Sequence, residues 1–327
     1  MKLATAATRS IPPGDTRVTR TALLHHDDCA LHQMQPRHPE SPARLRAVLD
    51  RLAESGLRGD LIDVEDVEAV AAEDIARVHP EAFITALRAL RPETGLAAVD
   101  GDTFIGPATL DAAARAAGAA VRGVDDILRG RYERGFCAIR PPGHHAETQL
   151  AMGFCFYNSI AIAARRALDV HGLDRVAILD FDVHHCNGTA EIFQHDPRVL
   201  VASSFQHPFY PGRMTGLEGD NLVFTRLAAG SRGIDFRRAI ERDWLPALER
   251  HRPQLILVSA GFDAHEDDPL AELRLTADDF GWVTDLIVAA ARDHADGRVL
   301  SLMEGGYDLA ALATSAERHV ERLLGQR

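Results

Sequence analysis

Cysteine is scarce: the four present in 327 residues (Cys29, Cys137, Cys155 and Cys186) form no C-x-x-C pair. That excludes a disulfide scaffold and fits a reducing compartment. No apolar run approaches the roughly 20 residues that a membrane span needs. Basic clusters are missing too. The 36 Lys and Arg are scattered among 48 Asp and Glu, for a net charge of −12, which argues against a nucleic-acid partner. Such an acidic surface favours cationic small molecules or lysine-rich peptides, though only weakly once salt screens it. Residues 1–20 start basic but lack an apolar h-region, so they read as a loose tail rather than a signal peptide. A cytoplasmic protein is expected, and the Asn187-Gly188-Thr189 sequon is then coincidental. With no repeat, low-complexity tract or linker after residue 20, residues 21–327 read as one domain.

What is present alternates. Short apolar runs at Thr21–Leu24, Phe136–Ile139, Val176–Leu179, Val199–Ala202, Leu255–Val258 and Val299–Leu302 read as strands. Helical patterns lie between them. One starts at Ser41 as N-cap with Pro42 behind it and stops at Gly56; others cover Thr109–Leu128, Ser159–Leu168 and Asp235–Arg250. Thr276 with Asp279 three residues on caps a further helix, and a last one closes the chain. Val64–Leu90 reads as acidic helical patches broken at His79-Pro80, and Asp100-Gly101-Asp102 as a turn. Strands alternating with helices predict an α/β fold with a mostly parallel sheet covered on both faces.

The densest chemistry follows Val176–Leu179, where Asp180, Asp182, His184 and His185 fall within six residues. Carboxylates and imidazoles there are costly to bury unless compensated, and a divalent metal is the usual compensation. Residues two apart on an extended segment share a face, so Asp180, Asp182 and His184 can point together. A D-x-H pair alone is equally well a satisfied polar cluster at a strand end. Three other strands also end in polar residues: RPPGHH with His144 and His145, SAGFD with Asp263, and MEGGY with Glu304 and Tyr307. Ligands of open α/β sheets bind outside the carboxyl ends of the strands. All four clusters therefore converge on one rim, which defines a site.

HPESPARL, RPPGHHA, GFCFYNSIAIAA, DFDVHHCNGT, GFDAHEDDPL and EGGYDL, in that order over about residues 21–325, resemble the zinc-dependent histone deacetylase superfamily. That superfamily includes bacterial class II-like deacetylases, acetoin-utilisation proteins and acetylpolyamine amidohydrolases. The resemblance implies an arginase-like, single-domain α/β fold with a mostly parallel eight-stranded sheet flanked by helices. It also implies hydrolysis of acyl-lysine or related acylated amines, whether peptides or small molecules, with one Zn²⁺ per chain. A homo-oligomer is compatible with it.

By the same resemblance Asp182, His184 and Asp263 hold the zinc, and His144 and His145 are the tandem catalytic histidines. Asp180 orients His144, Asn187 partners His145, and Tyr307 meets the substrate carbonyl. Gly153, Phe154 and Tyr210 line the acyl-lysine tunnel, and Leu270 stands at its mouth where polyamine-specific members carry an acidic residue; Arg44 lies buried behind the tunnel and Asp102 at its rim. A structural K⁺ or Na⁺ would involve Asp180, Asp182, His184, Ser203 and Ser204. Two aspartates and one neutral histidine cancel the zinc charge, so a base must help remove the proton from water. Asn187, being neutral, leaves His145 nearer neutrality than a carboxylate would, whereas Asp180 favours a protonated His144.

The chain departs from the family pattern in three places. Cys186 replaces a common glycine, a strain of about 1 kcal/mol or more if φ there is positive. Ser159 replaces a common asparagine, and Arg213-Met214 interrupts the usual turn after Tyr210. Two other readings compete. A dimanganese ureohydrolase needs D-x-H-x-D, and Cys186 stands where that last carboxylate would be. A binding module without activity should have lost a ligand or Tyr307, and none is lost.

Overall fold

The structure, a computed structural model, describes residues 20–326. The proposed tail therefore lies outside the described residues, apart from Arg20. Six apolar runs become strands buried along their whole length: β1 (Thr21–Leu24), β5 (Arg134–Cys137), β6 (Val176–Asp180), β7 (Val199–Gln206), β9 (Leu255–Ala260) and β10 (Val299–Met303). Burial of both faces of each strand requires helices on both sides, which is why these segments carry near-continuous apolar sequence. Two edge strands, β2 (Ile62–Val64) and β8 (Leu222–Leu227), complete an eight-stranded sheet ordered β2-β1-β5-β10-β9-β6-β7-β8. Every neighbouring pair is parallel. A small antiparallel hairpin, β3 (Ala97–Ala98) and β4 (Phe104–Ile105), stands apart.

The helices fall into two packed groups. In one, α1 (Pro42–Glu54) packs on α9 (Leu309–Leu324), α9 on α8 (Ala277–His294), and α8 on α7 (Gly233–His251). In the other, α5 (Ser159–Asp169) packs on α4 (Thr109–Leu128) and α2 (Ala72–Ala76). The remaining helices, α3 (Glu81–Leu90) and the short α6 (Asn187–Phe193), complete the set among the described residues. None is long and apolar enough to cross a membrane.

The structure corrects several expectations. Val64 ends an edge strand, so the helical stretch begins only at Ala72. The strand expected at Phe136–Ile139 starts and ends two residues earlier. Ser41 sits at the N-cap of α1 but makes no capping hydrogen bond; Pro42 alone sets the start. The Thr276–Asp279 capping box is formed as expected. Cys186 has φ −75°, so no left-handed strain arises there.

Candidate functional site

The four strands whose ends carry the chemistry, β5, β10, β9 and β6, are consecutive at the centre of the sheet. Register brings their ends level: Asp180 lies opposite Ser259 on one side and Ser203 on the other. Beyond Asp180 the chain leaves the strand, so a shared strand face does not explain the alignment of Asp182 and His184. Two consecutive side-chain turns do. Asp180 Oδ1 accepts the Asp182 N–H at 3.0 Å, and Asp182 Oδ1 accepts the His184 N–H at 2.9 Å. From the end of β9, Asp263 Oδ1 accepts the Val183 N–H at 2.9 Å. From β10, the Gly305 N–H donates to Asp182 Oδ2 at 2.9 Å.

These bonds aim three side chains at one point. His184 Nδ1 lies 3.0 Å from Asp182 Oδ1 and 3.2 Å from Asp263 Oδ2, and the three groups offer ligand atoms within 4.8 Å of one another. Asp263 Oδ2 is buried, yet no donor meets it with hydrogen-bonding geometry. A side chain at Gly261 would overlap the Asp182 carboxylate, and one at Gly305 would overlap both carboxylates. Burial, then the Asp182 charge, pushes the Asp263 carboxyl up to about 7. Burial opposes a charged His184, but the hydrogen bond to Asp182 and the close negative charges of Asp263 and Asp182 outweigh it and bring it up to about 10. A buried pair of carboxylates with an orphan oxygen and an imidazole, cradled by glycines, is a donor set that suits a divalent cation.

His25, Asp63 and Glu65 have similar spacing at the far edge of the sheet. There Arg58 already donates to Asp63 at 2.6 Å and to Glu65 at 2.7 Å, supplying the positive charge itself.

The tandem histidines stand beside the buried triad with ring centroids 4.0 Å apart. Their loop is moored from below by Glu304, whose Oε2 accepts the N–H of Gly143 at 2.7 Å and of His144 at 3.2 Å. His144 Nδ1 bonds Asp180 Oδ2 at 2.9 Å, and His145 Nδ1 bonds Asn187 Oδ1 at 2.6 Å. The two imidazoles diverge. Burial disfavours a charged His144, but Asp182, Asp180 and Glu304 outweigh it and raise it well above the usual histidine range. Burial, then the charges of His144 and His184, hold His145 well below that range.

Above lies a cavity of about 410 Å³ lined by His145, Gly153, Phe154, His184, Phe209, Tyr210, Leu270 and Tyr307, with His38, Pro39 and Asp102 at the same opening. Tyr210 meets His145 edge-on at 5.3 Å, and Phe154 meets Tyr307 edge-on at 5.9 Å. Gly153 adopts φ +56° directly against the His145 ring, where a Cβ would clash. Asp268 sets the rim: its Oδ1 accepts the Leu270 N–H at 3.0 Å and its Oδ2 the Tyr307 N–H at 2.7 Å. Phe209, stacked on His184 at 5.4 Å, and His38 were not singled out from sequence as site residues.

Arg44 does not reach the cavity. It lies fully buried with its guanidinium 4.9 Å from the centre of the Tyr307 ring, donating to the carbonyls of Gly306 (2.6 Å) and Glu304. Around Asp180, Ser204 Oγ donates to the Asp180 carbonyl at 3.5 Å and Ser203 Oγ is buried without a partner. Ser159 is the buried first residue of α5, whose N-cap is Asn158, accepting the Ala161 N–H at 3.0 Å.

Comparison with known proteins assigns this sheet and its central site to a family. The sequence model of the histone deacetylase domain matches residues 38–323. The histone deacetylase-like amidohydrolase of Pseudomonas aeruginosa is 38% identical over 298 residues, covering 89% of this chain and 78% of that protein. The human polyamine deacetylase HDAC10 is 35% identical over 328 residues, covering 93% of this chain and 48% of that protein. The crystal structure of the HDA15 HD domain superposes with a TM-score of 0.87 at 32% identity, covering 94% of this chain and 89% of that one. The chain belongs to the histone deacetylase family, a family of deacetylases and amidohydrolases.

Proposed function

We propose that this chain is a zinc-dependent amidohydrolase that removes acetyl or other acyl groups from acyl-lysine or related acylated amines. The observation that carries the reading is the buried Asp182–His184–Asp263 triad, with its orphan oxygen, at the floor of an aromatic-walled cavity. Asp182, His184 and Asp263 would hold one zinc. Zinc bound there supplies a Lewis acid for the amide carbonyl and acidifies a water molecule.

The chain's own residues do the rest. His145, held neutral with Asn187 on Nδ1, accepts the proton of the attacking water at Nε2. His144, held protonated against burial by Asp182 and Asp180, supplies positive charge beside the reacting carbonyl. The Tyr307 hydroxyl donates to the developing oxyanion, and burial keeps it protonated well above the usual tyrosine range. Phe154 and Tyr210 enclose the methylene stem of the substrate, Gly153 allows the close approach of that wall, and Asp102 engages the substrate backbone at the rim. Arg44 supports Tyr307 from behind. Asp180, Asp182, His184, Ser203 and Ser204 would bind a structural K⁺ or Na⁺.

Leu270, at the mouth, presents no charge to select a secondary ammonium, so acyl-lysine should be preferred over acetylpolyamines. Elemental analysis and kcat/KM for an acetyl-lysine peptide against acetylspermidine test both levels, with Leu270→Glu alongside. One zinc per chain and a peptide preference are expected. A tenfold preference for acetylspermidine, about 1.4 kcal/mol of transition-state binding, would overturn the substrate assignment, and absence of zinc the chemistry.

A further inference from the structure

The hydrogen-bond chain that orients His145 does not stop at Asn187. While Asn187 Oδ1 faces His145 Nδ1 at 2.6 Å, its Nδ2 donates to Glu147 Oε1 at 2.7 Å and to the His145 carbonyl at 3.2 Å. Glu147 is 5% exposed. Its second oxygen accepts from Arg213 Nη2 at 2.9 Å, on the segment that also carries Tyr210. Arg213 is one of the residues at which the sequence leaves the family pattern, and here it has a partner.

The two ends of an asparagine amide are almost the same shape and differ only in what they bond. Turned over, Asn187 would set its oxygen against the Glu147 carboxylate, two acceptors at hydrogen-bond distance with no proton between them. It would also set its NH₂ against His145 Nδ1. That nitrogen would then have to accept, which moves the ring proton to Nε2. Amide orientation and imidazole tautomer are therefore one variable. A carboxylate at position 147 permits only one of its values. Burial pushes the Glu147 carboxyl up, and Arg213 and Asn187 act against that.

We propose that Glu147, braced by Arg213, is a positioning residue that locks the Asn187 amide and so fixes His145 as the Nδ1–H tautomer, with Nε2 free to face the cavity. The functional consequence rests on His145 acting as the base proposed above; the tautomer lock does not. Thr148, the next residue, is tied in the same direction: its N–H and hydroxyl donate to Glu191 of α6 at 2.9 and 2.7 Å. The catalytic loop is thus stitched along α6, with Glu147 as the stitch that bears on chemistry.

The test is long-range ¹H–¹⁵N correlation on the full chain labelled with ¹⁵N-histidine, with the His145 signals identified by their loss in His145→Gln, alongside steady-state kinetics. The wild type should show the Nδ1–H pattern. Glu147→Gln offers Asn187 a donor as well as an acceptor, so Nε2–H signals should appear. In that variant kcat should fall about 10- to 100-fold with KM little changed. Arg213→Ala should lower kcat about two- to fivefold, the range of a part-exposed ion pair, and Arg213→Lys should restore it.

An Nε2–H pattern in the wild type would overturn the proposal, as would an unchanged tautomer and kcat in Glu147→Gln. If Glu147→Gln does not fold, Arg213→Ala decides: an unaltered tautomer balance together with unaltered kcat overturns it. Tautomer changes in a protein that cleaves no acylated amine would support the lock and sink the proposed function instead.

Discussion

Glu40→Gln should damage stability and turnover together, because one buried carboxylate organises two arginines and a histidine behind the site. Glu40 Oε1 accepts from Arg140 Nε at 2.8 Å and Arg44 Nη1 at 3.3 Å; Oε2 accepts from Arg140 Nη2 at 2.7 Å and faces His32 Nε2 at 3.3 Å. All four side chains are fully buried. The substitution leaves the shape intact but removes the only negative charge in that group and turns one acceptor into a donor aimed at Arg140. Breaking a buried pair on one side costs about 3–5 kcal/mol. For a chain of this length, with an unfolding entropy near 0.65 kcal/mol/K, that is a fall of about 5–8 °C in melting temperature.

The same change loosens Arg44, which holds the Glu304 and Gly306 carbonyls under Tyr307, so kcat should fall as well. Burial opposes ionisation of Glu40, but Arg140 and His32 outweigh it and hold the carboxyl well below its usual range. Its folded pKa is thus below its unfolded one. Its stabilisation is complete above the unfolded value of about 4.3 and disappears as pH falls below it. Calorimetry at pH 7 and at successively lower pH should therefore show the gap between wild type and variant closing on acidification. A variant that melts with the wild type at pH 7 would refute the reasoning.

Asp263→Ala should lose both bound zinc and activity; full zinc occupancy by elemental analysis would remove it from the ligand set. Tyr307→Phe should fold normally and lose on the order of 10²–10³ in kcat, and a raised KM with unchanged kcat would make it a binding residue instead. Burial holds His79 at about 4 and His319 at about 3. Both folded values lie below the unfolded one, so the stability that depends on their neutrality is complete above about pH 6.5 and lost as pH falls toward those values. Two protons correspond to about 2.7 kcal/mol per pH unit, so urea midpoints should drop sharply between pH 6 and 4.5, and a flat profile would contradict it.

The central strands were legible because each is a continuous apolar run, as burial on both faces demands. The two that were not, β2 and β8, are the edges. Ile62–Val64 has an exposed Asp63 in the middle, and Leu222–Leu227 is half-buried through its first three residues. Neither carries the signal of a buried strand. The buried triad of Asp182, His184 and Asp263 and the tandem histidines could be read because they follow such strands directly. Glu40, Glu147 and Phe209 could not. A glutamate or phenylalanine in a loop has no periodicity, and the partners that give it meaning lie far away in sequence: Arg140 is 100 residues beyond Glu40. Arg213 looked like a disruption for the same reason.

The strand order has a consequence for how the protein is made. Asp182 and the Gly305 amide that supports it are 123 residues apart, and the strands bearing His144 and Asp182 are separated in the sheet by two that the chain supplies last. No fragment lacking β9 and β10 contains the site. Asp182, His184 and Asp263 come together only once the C-terminal strands have inserted between earlier ones, a closure that places most of the loop entropy before any of the reward. A cation that binds there binds the finished sheet and no precursor. It would then act as a thermodynamic latch on the whole fold, raising stability in proportion to the logarithm of its concentration.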